Sequence, residues 1–72
     1  MTLGERVELK RQGIEVLRPL FDHRKSMWAL AKCTIHGGWA RYGTDWHATK
    51  TEAERHIDRI VAMYPKQYKK DD

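Results

Sequence analysis

Apolar residues recur with a helical period toward the C-terminal end of the chain. Ala53, Ile57, Ile60, Val61 and Tyr64 stand at i, i+4, i+7, i+8 and i+11, a spacing that lines one face of a helix. Thr49 and Thr51 each precede a glutamate by three residues, Glu52 and Glu54. That pairing satisfies amides left open at a helix start, and the carboxylates suit the positive end of the helix dipole. Pro65 stops the pattern. The spacing predicts a helix over 50–64 and a polar, frayed tail over 65–72.

The middle of the chain alternates with period two. Met27, Ala29, Ala31, Cys33 and Ile35 fall on one side, and Trp28, Leu30, Lys32 and Thr34 on the other. Gly37-Gly38 suits a two-residue hairpin turn, which predicts a hairpin over 26–46. In that register Ile35 faces Ala40 and Cys33 faces Tyr42 on the core side, while Thr34 faces Arg41 and His36 faces Trp39 on the other. Residues 14–21 read as a further strand, closed by the polar turn Asp22-His23-Arg24-Lys25. Residues 5–11 fit two patterns. Val7 and Leu9 alternate with Glu8 and Lys10, while Leu3, Val7, Ile14 and Leu17 fit a helical stripe. Gly13 and Pro19 weaken that helix, so a strand is preferred over residues 5–11.

These elements assemble into an α+β domain: a three- or four-stranded antiparallel meander with the C-terminal helix packed on one face. The helix is expected over Met27, Ala29, Ala31 and Tyr42. Trp28, Leu30 and Trp39 are then left on the other face, where a small sheet needs a cover: the N-terminal segment, a second copy or a partner.

Composition narrows the classes. At 72 residues the chain makes one small domain that buries only about 60% of its unfolded surface. Its mean hydropathy is −0.81, and no apolar run approaches the ~20 residues of a membrane span. Residues 1–10 lack the apolar stretch of a secretory signal, and a lone cysteine, Cys33, allows no internal disulfide. The expectation is a cytoplasmic, non-membrane single domain. Lys and Arg total 14 against 10 acids, a net charge of +4. The excess lies in residues 22–50, where five bases less two acids leave +3. Such a charge attracts phosphate or an acidic protein surface.

The expected open face joins cations to flat rings: Trp28, Lys32, Thr34, His36, Trp39 and Arg41, with Arg24 and Lys25 at the hairpin tip. Cations neutralise phosphate while rings stack on bases, and a ribbon of strands fits the DNA major groove. These eight residues form the predicted nucleic-acid-binding set. Cys33, His36, His47 and His56 raise the question of zinc, but residues three apart on a strand point to opposite faces and no second close pair completes a site. No metal or cofactor is expected. A nucleophilic Cys33 lacks a complete partner set, and no carboxylate pair or phosphate-cradling glycine loop is present. The chain is therefore read as a non-enzyme. Trp46 is expected to pack over the start of the C-terminal helix.

The run Trp39-Ala40-Arg41-Tyr42-Gly43, followed by Trp46-His47-Ala48-Thr49-Lys50-Thr51-Glu52-Ala53, resembles the end of the arm-type DNA-binding domain of tyrosine integrases. In that family a strand pair leads to a similar helix start and the sheet reads the major groove. The resemblance spans Met27 to Val61 and implicates Trp28, Lys32, Thr34, Trp39 and Arg41. The sheet is less basic than the family's, and the expectation is that no integrase catalytic domain follows. In size and style the chain also resembles small phage and prophage proteins. With an N-terminal helix, the order of elements would resemble a double-stranded RNA-binding domain. That family's lysine cluster at the last helix is here reduced to Lys50, followed by Glu52 and Glu54.

Three functional expectations follow. The first is a small nucleic-acid-binding accessory protein, phage or prophage encoded. The second is a module that binds and inhibits a host protein machine, such as an anti-CRISPR. The third is a homodimer that buries the same open face.

Overall fold

The computed structural model describes residues 1–71. It is an α+β fold: α1 (Leu3–Arg11), β1 (Glu15–Asp22), β2 (Met27–Cys33), β3 (Trp39–His47), α2 (Lys50–Met63) and β4 (Tyr68–Lys70). The sheet has the order β3-β2-β1-β4. β1–β2 and β2–β3 are antiparallel and β1–β4 is parallel. β1 to β3 form an antiparallel meander, as expected, and β4, added in parallel beside β1, makes the sheet mixed.

α2 forms where the stripe predicts it. Thr49 is the N-cap, accepting from the Glu52 amide, while the Glu52 carboxylate accepts from the amide of Ala48. Ala53 and Ile57 are fully buried against Leu17 of β1 and Leu30 of β2, and Trp28, Tyr42, Ile60, Val61 and Tyr68 pack around this cluster. Burying one such aliphatic side chain contributes roughly 1.5–3 kcal/mol.

Three expectations are corrected. Residues 3–11 are helix, not strand. α1 buries no side chain; its ends hold it. Thr2 and Glu5 form a reciprocal capping box. At the other end the Gly13 amide donates to the Lys10 carbonyl and the Ile14 amide to that of Leu9, the paired bonds that close a helix through a left-handed residue. Gly13 takes that conformation, with φ 78°. The glycine that weakens a longer helix is the residue that ends this shorter one.

Residues 68–70 are not frayed. β4 lies beside the start of β1, with the Glu15 amide donating to the Gln67 carbonyl and the Asp71 amide to that of Leu17. Tyr68 reaches over the core, where its hydroxyl meets that of Tyr42 at 2.9 Å. Lys70 pairs with Asp58 at 3.1 Å and Glu54 at 3.8 Å on α2.

The third correction concerns register. Gly37 takes φ 90°, and the Thr34 amide donates to the Gly38 carbonyl. These features make a three-residue loop closed by a left-handed glycine. Cys33 therefore faces Trp39, and Leu30 faces Tyr42. Relative to the predicted Cys33–Tyr42 pairing the offset is odd, 42 less 39, and an odd offset exchanges the faces. Trp28 and Leu30 lie under α2. Ala29, Ala31 and Cys33 lie on the opposite side.

Candidate nucleic-acid interface

The face away from α2 is built on small residues. Ala29, Ala31 and Cys33 are buried there, together with Val16 at the start of β1. Ala31 has Arg18 opposite it on β1 and Arg41 opposite it on β3. Opposed residues share a face, so Arg18, Ala31 and Arg41 form one row across three strands. Both arginines fold over tryptophans. The Arg18 guanidinium carbon lies 4.0 Å from the centroid of the Trp39 ring, and that of Arg41 lies 3.9 Å from the Trp46 ring. At that distance a cation is attracted by the negative ring face.

Each indole has a second cation. Arg6 of α1 lies 5.3 Å from Trp39, and Lys25 of the β1–β2 turn lies 5.3 Å from Trp46. Arg6 also donates to the carbonyls of Thr34 at 3.0 Å and Gly38 at 2.8 Å, which fastens α1 to the β2–β3 loop. Arg41 donates to the Asp45 carbonyl at 3.1 Å. That contact spans a bulge: from the Trp28–His47 pair to the Leu30–Tyr42 pair, β2 advances two residues and β3 five. Gly43, with φ 72°, lies in this bulge, and the extra residues bring Trp46 back over Arg41.

On the α2 side, Lys70 is matched by Glu54 and Asp58. Among the described residues, Arg18, Lys25 and Arg41 take part in no ion pair. The nearest acid to the β1–β2 turn, Asp22, accepts from the amides of Arg24 and Lys25.

The eight predicted residues divide accordingly. Lys25, Trp39 and Arg41 meet on this face. Trp28 does not: it packs on the core under α2, with Phe21 edge-on at 5.2 Å. Lys32 shares the α2 face, opposite Leu17 and Ala40. Thr34 closes the β2–β3 loop through Gly38, and His36 is exposed in that loop. Arg24 is exposed in the turn at the other end of the sheet. Sequence reading omits Arg18 and Trp46 from the set. The signal for Arg18 is the β1 alternation, Val16-Arg18-Leu20 against Leu17-Pro19-Phe21. It becomes useful only once the bulky stripe is assigned to α2. No sequence signal marks the bulge that turns Trp46 toward Arg41 and Lys25.

Cys33 is buried on this face, its thiol near the Thr34 carbonyl. His47 and His56 are not separate surface residues. Their ring nitrogens Nε2 and Nδ1 approach to 3.0 Å, and His56 Nε2 lies 3.9 Å from Asp45, which ties the end of β3 to α2. Among the described residues no group of three or more His, Cys, Asp or Glu side chains is placed to hold a metal ion, and no helix is long and apolar enough to cross a membrane. Comparison with protein-family models, curated proteins and solved structures returns no match.

Proposed function

We propose that this chain is a non-enzymatic nucleic-acid-binding accessory protein that contacts phosphate through the sheet face opposite α2. The observation that supports the reading is the row Arg18–Ala31–Arg41, with both guanidinium groups over indoles and, among the described residues, neither paired with a carboxylate. A stacked guanidinium keeps its donor edge available and has lost part of its rotamer freedom before any ligand arrives. Lys25 extends the positive surface toward the β1–β2 turn, and Arg24 stands beside it. Trp39 and Trp46 hold the arginines.

The test is fluorescence anisotropy of labelled mixed-sequence nucleic acid against the purified chain over a range of salt. Binding should fall steeply with salt as counterions are released. Arg41→Ala should weaken binding and reduce the slope of log affinity against log salt by about one. Arg59→Ala, on the exposed surface of α2, should leave both close to the wild-type values. Equal behaviour of the two variants would remove the assignment.

A further inference from the structure

The rings and the cations of this face differ in what they leave open to a ligand. Proteins that hold single strands present aromatic rings on which bases stack. Here the rings are occupied. Trp39 has Arg18 at 4.0 Å and Arg6 at 5.3 Å, and Trp46 has Arg41 at 3.9 Å and Lys25 at 5.3 Å. Both indoles are also half-buried. A base that stacks on the ring face held by Arg18 or Arg41 must displace that cation, and Arg6 beside Trp39 is further anchored by its bonds to two backbone carbonyls. What the face offers outward is therefore cationic edges.

Their arrangement suits a fixed array of phosphates. Arg18 and Arg41 project from strands on either side of β2, so their backbones stand two strand spacings, roughly 10 Å, apart. A guanidinium fork matches phosphate oxygens geometrically. Exposed Lys25 adds a third cation toward one end of the sheet. A double helix holds its phosphates in place and stacks its bases internally, so it supplies such an array without needing a free ring.

Resting on the nucleic-acid reading, we infer that this face takes the phosphate backbone of a double helix, with the indoles serving as rests for Arg18 and Arg41 and not as stacking platforms for bases. The experiment compares the wild-type chain with three labelled ligands of equal length: mixed-sequence duplex DNA, mixed-sequence duplex RNA and single-stranded oligothymidine. Anisotropy and tryptophan emission are recorded together at low and high salt. At least one duplex is expected to bind about tenfold more tightly than oligothymidine, with a steep salt slope, and which duplex it is identifies the source of the phosphates. Oligothymidine binding as tightly as both duplexes, with quenched tryptophan emission, overturns the inference and leaves the nucleic-acid reading standing. Absence of binding to all three at low salt removes that reading and the inference with it.

Discussion

The two faces of one four-stranded sheet are stabilised by different physics. Under α2, Leu17, Leu30, Ala53 and Ile57 exclude water by apolar burial. On the other side the strands offer Val16, Leu20 and the small residues Ala29, Ala31 and Cys33, and arginines stacked on tryptophans lie above them. The first face is bought with carbon; the second uses charged side chains whose stems cover apolar surface while their heads stay polar. Truncation of the first should cost stability. The second has a cationic surface that stability alone does not require.

The largest effect should separate the faces most sharply. Leu30→Ala removes a fully buried side chain and should destabilise by about 2–5 kcal/mol, a large share of the 5–15 kcal/mol typical of a folded domain. Chemical denaturation measures it. An Arg18→Ala variant, read in the same way, should lose no more than about 2 kcal/mol, the upper range of a cation–ring contact. Equal losses at the two sites would erase the distinction.

Adding volume tests the second face from the opposite direction. Ala31→Leu inserts a branched side chain beneath the Arg18–Arg41 row and should cost about 1–3 kcal/mol by overpacking. If thermal melting shows no loss, the arginines are not packed down on that alanine.

A pH scan sharpens the apolar side. The Tyr42 phenol is pushed up to about 12, first by its hydrogen bond with Tyr68, then by burial and by the nearby Tyr68 and Glu15. The proton is held more tightly in the folded chain than in the unfolded one, where a phenol titrates near ~10. The contribution is therefore complete below about pH 10 and declines as pH rises toward 12. Tyr68→Phe should bring the tyrosinate absorbance change of Tyr42 to lower pH and flatten that decline. The smallest effect is expected at Lys70. Its pairs with Asp58 and Glu54 are partly exposed, and Lys70→Ala should change stability by only about 0–1 kcal/mol, a change that added salt reduces further.

How much of this was legible in the sequence depends on where the information lies. α2 was readable because stripe, cap and proline agree. α1 was not, because its apolar residues make no buried stripe; Leu3 and Val7 remain exposed, and the helix is defined by Thr2 and Gly13 at its ends. β4 has three residues, too few for a periodic pattern, and owes its place to Tyr68 and Lys70 meeting partners distant in sequence. The faces were exchanged by a single feature. Gly37-Gly38 permits a two-residue or a three-residue loop, and only the second puts Leu30 beside Tyr42. With that choice made differently, Trp28 moves to the core and Arg18 joins the site, while Trp39 and Arg41 remain paired with a strand whose other residues have turned over.

The bulge in β3 has a consequence beyond placing Trp46. An exposed strand edge is a template on which another chain can add, and long straight edges invite aggregation. This sheet has two edges, β3 and β4. The first is interrupted after Tyr42 by the bulge; the second is β4, three residues long and carrying Lys69 and Lys70, beyond which that side of β1 runs on unpaired from Arg18 to Asp22 with Pro19 in it. Neither presents a long, flat, uncharged run of amides and carbonyls. The same irregularity that turns an indole toward an arginine discourages copies of the chain from growing edge to edge into fibres.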